Sequence, residues 1–214
     1  MGVKTREQYL ESLRKLRPNV YVDGKRLLGS VVDSPYFRTN INVIGLGYDL
    51  ANDPKWEKMF TAWSPLVGEK ISWWNHLPQT PDDLRNIVRN IKTIAGRQLC
   101  VFCMGVALDV LWAITYEIDK AKGTEYHQRF INFFKHLQKN DLRFSMGVMD
   151  AKGDRRLMPS QQSDPDLYLH VVERNSDGIV VRGCKSQVSG GPVTHVIIAC
   201  PGGACREDDK VYAV

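Results

Sequence analysis

The sequence predicts an α+β protein, helical over residues 1–140 and antiparallel β over residues 141–214. Three observations carry this. Apolar residues recur at helical spacing through the first two-thirds of the chain, and near Asn140 the period changes to two. Helices come first and strands after, the order of α+β proteins or of two domains rather than of alternating βα units. With 214 residues, 43% of them hydrophobic and 25% charged, the chain can bury a sizeable core in one large or two small domains.

Thr5 and Gln8 form a capping-box pattern ahead of Tyr9, Leu10, Leu13 and Leu16, so a short amphipathic helix is expected to end before Pro18. VYVDGKRL follows, with the Asp-Gly of a tight hairpin. Asn40 to Ala51 predicts a second helix and Trp56 to Trp63 a third, with Pro54 placed for a first turn. TPDDL gives Thr80 as N-cap, Pro81 at the first helical position, and Asp82 and Asp83 where the helix dipole favours negative charge. That helix is expected to run to about Ala95, with a break at Gly96. Leu99 to Lys122, apolar on nearly every face, reads as a central buried helix ended by Gly123. Thr124 is the expected cap of the next helix, which carries an aromatic stripe of Tyr126, Phe130, Phe133 and Phe134 continued by Leu137.

From Phe144 the pattern alternates. Leu167, Leu169 and Val171 point one way and Tyr168, His170 and Val172 the other, Asn175 to Gly178 turns the chain into Ile179–Val181, and Thr194 to Ala199 is a further β run. Val211 to Val214 is a β-like ending with no polar tail, which reads as a fragment or a truncated product.

The net charge of +5 is spread along the chain, with no run of like charges and no Arg/Lys block interleaved with aromatics. A nucleic-acid role is not indicated; anionic small molecules would be welcome. The charged N-terminus lacks the apolar stretch of a signal peptide, and the most apolar segment, Leu99 to Ile118, contains Asp109 and Glu117. A soluble cytoplasmic protein is expected. Five cysteines without a secretion signal argue for reduced thiols rather than a disulfide framework.

Three constellations carry chemistry. In CVFCMG, Cys100 and Cys103 are three apart and share a helix face, so they can be metal ligands, a redox pair or two small apolar residues; a four-coordinate metal would need two further ligands. MDAKGDRRLMPSQQ, Met149 to Gln162, combines a Gly-containing turn with Lys152, Arg155 and Arg156 and with the hydrogen-bonding groups of Asp150, Asp154, Gln161 and Gln162. Such a loop can hold a phosphorylated or heteroaromatic cofactor, or be a solvated polar turn. KSQVSGG, Lys185 to Gly191, follows a strand with glycines that would let a ligand approach the backbone, or is an ordinary hairpin loop. The five histidines fall in no Ser/His/Asp or HExxH pattern and read as structural; no general base is assigned.

These segments, in this order, resemble a known family. EQYLESLRKL, VYVDGKRL, SPYFRTNIN, YDLANDP, TPDDLRNIVR, TYEIDKAKGTEYHQRF, DAKGDR, SDPDLYLHVVERNSDGIVVRGCKSQVSG and DDKVYAV are similar to blocks of the flavin-dependent 4-hydroxyphenylacetate 3-hydroxylase / 4-hydroxybutyryl-CoA dehydratase family. The KGDR loop and the cysteine-bearing helix look more like the dehydratase (vinylacetyl-CoA isomerase) branch. The resemblance implies an acyl-CoA-dehydrogenase-like fold: an N-terminal helical domain, a middle antiparallel β-barrel, here incomplete, and a C-terminal helical bundle that drives tetramer formation and is absent from this chain.

The resemblance also implies that Val148, Met149, Asp150, Lys152, Gly153, Asp154 and Arg155, together with Gln187, Val188, Ser189 and Gly190, line FAD. It places Arg97 against substrate or flavin, and Cys100 and Cys103 among the ligands of a [4Fe–4S] cluster. In the dehydratases the two helix cysteines are four apart, and the other ligands, a histidine and a third cysteine, would fall beyond Val214. Three functions follow as expectations. The first is dehydration of a 4-hydroxyacyl-CoA by a flavin and iron–sulfur radical route. The second is hydroxylation of a phenol by reduced flavin and O₂, and the third a non-catalytic fragment that binds a ligand or partner.

Overall fold

The computed structural model describes residues 2–95, 106–203 and 205–213. The chain divides into two compact units, Met1–Phe144 with Pro192–Val196, and Ser145–Gly191 with Ile197–Val214. Residues 192–196 thus return to the first unit.

The first unit opens with α1 (Arg6–Arg14), and both halves of the expected capping box are made: the Gln8 N–H donates to Thr5 Oγ1 and the Thr5 N–H to Gln8 Oε1. The hairpin of β1 (Tyr21–Val22) and β2 (Lys25–Arg26) turns through Asp23 and Gly24 at φ 50° and 75°, the left-handed pair that Asp-Gly supplies most readily. Then comes α2 (Arg38–Asn52), which buries Ile41, Ile44, Tyr48 and Ala51. Here a β-carbon at Gly45 would stand 2.9 Å from the Arg6 guanidinium, so the small residue lets Arg6 reach its ion-pair partner Asp49 across the helix.

The expected third helix is only α3 (Glu57–Phe60). Thr61–Ser64 is strand β3, paired antiparallel with β4 (Glu69–Ser72), and Trp63 is exposed. A hairpin partner outcompetes the local helical spacing because it satisfies the same backbone groups while burying Ser64 and Ile71. Stacked rings of Tyr9 and Tyr48, with Trp74 edge-on to Tyr48, form the centre of the core, each pair 4.8 Å between centroids.

α4 (Pro81–Ala95) starts as expected, with the Asp83 N–H on Thr80 Oγ1 and the Thr80 N–H on the Asp83 carboxylate. α5 (Val106–Lys122) ends at Gly123, φ 65°. It is not buried all round: Ala107 and Leu108 are in the core, while Val110, Ile114 and Tyr116 are exposed. Helix α6 (Tyr126–Lys139) is capped by Asp119, not by Thr124. The Asp119 carboxylate accepts from the Tyr126 and His127 N–H groups at 2.9 and 2.8 Å, and Thr124 donates to the same carboxylate. Phe130, Phe134 and Leu137 form the buried part of the aromatic stripe.

Buried polar residues close this unit. Asp141 accepts from the Lys4 N–H (2.9 Å), Ser72 Oγ (2.8 Å) and Asn75 Nδ2 (3.2 Å). His195 accepts from the Arg143 N–H at Nδ1 (3.0 Å) and lies 2.8 Å from Ser12 Oγ at Nε2, while Ser12 Oγ donates to the Tyr9 carbonyl. The chain of donors makes His195 the neutral Nε2–H tautomer.

In the β region, β5 (Phe144–Gly147) pairs with β8 (Val196–Ala199), and β6 (His170–Asn175) with β7 (Gly178–Arg182). The β6–β7 hairpin turns through Ser176 and Asp177 where expected, but its strand begins at His170 rather than Leu167. The expectation of an all-antiparallel β part is corrected at β5 and β8. His195 N–H bonds the Arg143 carbonyl and Cys200 N–H the Gly147 carbonyl, so the two strands run in the same direction. Among the described residues the sheets are two-stranded and no closed barrel forms. The terminal run is a 3₁₀ helix, Glu207–Tyr212, rather than a strand, with buried Asp209 accepting from the Ser160 N–H at 2.8 Å. No helix among the described residues is long and apolar enough to cross a membrane.

Candidate functional site

The loop leaving β5 and the loop leaving β7 meet around a cavity of about 360 Å³ within the second unit. Met149, Asp150, Ala151, Lys152, Gly153 and Arg155 line it from the first loop, Ser186 and Gln187 from the second, and Tyr168 and Gly202 complete the wall. The two loops are joined by backbone and side chain. Ser186 donates its N–H to the Met149 carbonyl and its hydroxyl to the Asp150 carbonyl, both at 2.8 Å, and the Lys185 ammonium meets the Asp150 carboxylate at 2.5 Å. Lys185 is 8% exposed and Asp150 26%, so this pair is a part-buried brace and not a surface contact.

The three cations of the first loop divide by role. Arg156 forks onto Asp154 at 3.0 and 2.6 Å, which holds the Asp154 carboxyl below the usual carboxylate range. Lys152 and Arg155 line the cavity, are exposed, and have no ion-pair partner among the described residues. Gln162 supports the turn, accepting from the Asp154 N–H at 3.0 Å and donating to the Asp154 carbonyl at 2.9 Å. Gly153 leaves room for these side chains: a β-carbon would stand 2.3 Å from Gln162 Oε1 and 2.6 Å from Leu167 Cδ2, so one of them would have to move. In the second loop Gln187 sits at φ 55° and Gly190 at φ 74°.

Of the expected site residues, Met149, Asp150, Lys152, Gly153, Arg155 and Gln187 thus share one cavity, while Val148, Asp154, Val188, Ser189 and Gly190 are not in its lining. Val148 is exposed beside it, and the Ser189 carbonyl accepts from Ser145 Oγ at 2.8 Å. Tyr168 and Gly202 were not anticipated. Arg97, Cys100 and Cys103 lie outside the described residues. A second cavity of about 630 Å³, in the first unit and lined by His76, Asp83 and Asn90 among others, contains none of the expected site residues. Among the described residues no group of three His, Cys, Asp or Glu is placed to hold a metal.

Chemically, two exposed cations without an ion-pair partner among the described residues, the Tyr168 ring and a turned backbone at Gln187 are groups that suit an anionic ligand. The chain belongs to the family described as 4-hydroxyphenylacetate 3-hydroxylase N terminal, which matches residues 5–214. It is 42% identical over 213 residues to the 4-hydroxybutyryl-CoA dehydratase/vinylacetyl-CoA-Δ-isomerase of Clostridium aminobutyricum, covering 98% of this chain and 43% of that protein. The solved oxygen-tolerant archaeal 4-hydroxybutyryl-CoA dehydratase from N. maritimus superposes with a TM-score of 0.91 at 33% identity, covering 99% of this chain and 42% of that one. The oxygenase component of 4-hydroxyphenylacetate 3-monooxygenase, solved with FAD, shares the fold with a TM-score of 0.81 at 23% identity, covering 98% of this chain and 43% of that one. The chain therefore spans less than half the length of these relatives.

Proposed function

We propose that this chain forms the flavin-binding part of a dehydratase-type enzyme acting on a 4-hydroxyacyl-CoA, with FAD seated in the cavity of the second unit. The observation that carries the reading is the convergence of Lys152 and Arg155, both uncommitted, with the turned backbone at Gln187 in one cavity. A dinucleotide diphosphate needs this: fixed cations for the pyrophosphate and a close backbone for the ring system. The FAD-bound relative supports the choice of flavin, and the identity to the dehydratase supports the choice of branch.

Bound FAD supplies the one- and two-electron exchange. The chain's own residues do the rest. Lys152 and Arg155 hold the pyrophosphate, the Asp150–Lys185 brace keeps the two loops in register, and Gly153 with Gln162 fixes the turn that presents the cations. Arg156 takes no part because Asp154 holds it. In this reading the middle domain belongs to an acyl-CoA-dehydrogenase-like arrangement that assembles as a tetramer. The same reading assigns Arg97 to contact with substrate or flavin, and Cys100 and Cys103 to the ligands of an iron–sulfur cluster.

The test is the natural gene product purified without oxygen. Bound flavin, iron that is lost in Cys103→Ser, and water loss from 4-hydroxybutyryl-CoA are expected. Flavin without iron, together with oxygen-dependent hydroxylation of a phenol, would overturn the dehydratase reading in favour of the hydroxylase branch.

A further inference from the structure

The cavity of about 630 Å³ in the first unit has no role in the readings above, and its wall is not built like a core. From α4 it is lined by Asp83, Asn86, Ile87 and Asn90, residues at the spacing that shares one face of a helix. Where such a stripe meets the rest of a fold it is ordinarily apolar, yet here only Ile87 is.

Two of the polar groups are already engaged. Asp83 accepts from the Gln79 and Thr80 N–H groups, both at 2.9 Å, and its other oxygen lies 3.3 Å from His76 Nε2. Asn86 Nδ2 donates to the Met59 carbonyl at 3.0 Å. Asn90 differs: it is 0% exposed, and neither its Nδ2 nor its Oδ1 has a hydrogen-bond partner. Trp73, which lines the same cavity and is 6% exposed, likewise leaves its Nε1–H without an acceptor. A buried amide without partners costs free energy that an apolar side chain of similar size does not, so the fold alone gives no reason for Asn90.

Cations complete the wall. Lys58 and Arg89 line the cavity, are exposed, and have no ion-pair partner among the described residues. The other acid of the lining, Asp82, is taken by Arg85 at 2.6 Å.

The unmet needs of these groups define a ligand. Lys58 and Arg89 lack an anion, and the Trp73 and Asn90 N–H groups lack acceptors, which carboxylates supply. Asn90 Oδ1 lacks a donor, which a bare carboxylate does not have. We propose that this cavity is a binding site for a small hydroxy acid, its carboxylates answering the cations and its hydroxyl exchanging hydrogen bonds with the Asn90 carboxamide. The site shares no residue with the flavin cavity and does not rest on the flavin reading.

Malate and succinate, which differ by one hydroxyl, are the probes. In calorimetric titrations of the natural gene product, malate should bind about tenfold tighter than succinate, the worth of one hydrogen bond. Lys58→Ala and Arg89→Ala alter exposed side chains and should each weaken both acids about 3- to 10-fold. Asn90→Leu and Asn90→Ala should bind the two acids alike, and Asn90→Leu without ligand should unfold no lower than the wild type on heating. Malate binding no tighter than succinate, malate affinity unchanged in both cation variants, or a malate preference that survives in either Asn90 variant would overturn the proposal. A lowered unfolding midpoint in both Asn90 variants would show an amide that serves the fold, and would overturn it too. The titrations need no flavin, so their failure leaves the flavin reading standing, and the reverse also holds.

Discussion

His195 makes the first unit sensitive to mild acid. Its ring is half-buried, near the Lys4 and Arg143 charges, and burial first and these charges second hold its pKa down to about 4, from 6.5 for the free side chain. The hydrogen bonds agree, because Nδ1 already accepts from the Arg143 N–H and has no room for a proton. Above pH 6.5 the ring is neutral folded and unfolded, and it costs nothing. As pH falls through 6.5 the unfolded chain takes up a proton that the folded chain refuses until about pH 4. Stability is therefore lost on acidification, by about 0.8 kcal/mol at pH 6 and about 2 kcal/mol at pH 5 for that pair of pKa values. His195→Gln removes the titration while keeping an amide that can donate to Ser12. Urea unfolding of both forms at pH 7.5, 6 and 5 tests this: the wild type should lose about 2 kcal/mol relative to the variant over the range. Asp141, whose pKa burial raises, works in the opposite direction but is common to both proteins and cancels. Parallel stability profiles for the two proteins would refute the assignment of a histidine held neutral by its surroundings.

Other outcomes follow from single contacts. Gly153→Ala forces a β-carbon into Gln162 and Leu167 and should cost roughly 1–3 kcal/mol by urea midpoint while weakening flavin binding. Lys185→Met leaves the part-buried Asp150 carboxylate without its cation; removing one partner of a buried pair costs about 3–5 kcal/mol, and the partial exposure of Asp150 brings the expected loss to about 1–3 kcal/mol, read by thermal unfolding. Thr5→Ala breaks the α1 capping box and should cost about 1 kcal/mol in the same assay.

Features written in adjacent residues were legible in the sequence. Thr5 with Gln8, Asp23-Gly24, Thr80-Pro81 and the Asn175–Gly178 turn each carry their own hydrogen-bonding or φ requirement, and each is found in place. What failed depended on distant partners. Trp56–Trp63 has helical spacing, but Thr61–Ser64 finds β4 across the turn at Gly68. Thr124 lost the α6 cap to Asp119, whose charged carboxylate offers one oxygen to the Tyr126 N–H and the other to the His127 N–H. In α5, an apolar composition says nothing of what covers Val110 and Ile114. Around the cavity, the glycines and cations of Met149–Arg155 and Lys185–Gly191 were visible in the sequence as two candidate loops, and the structure brings the two loops together. Tyr168, an ordinary strand alternation, and Gly202, in a segment with no assigned role, join the wall only through folding.

The central claim is that Lys152 and Arg155 grip the pyrophosphate of a flavin dinucleotide, and flavin affinity tests it most directly. FAD binding by the natural gene product is titrated by flavin fluorescence for the wild type, Arg155→Ala and the double variant with Lys152→Ala, with circular dichroism to show that each is folded. Each charge-assisted bond is worth roughly 1.5–3 kcal/mol, so Arg155→Ala should weaken binding about 10- to 100-fold and the double variant more. FMN, which lacks the pyrophosphate, should bind all three proteins alike. Unchanged FAD affinity in the folded double variant would contradict the account.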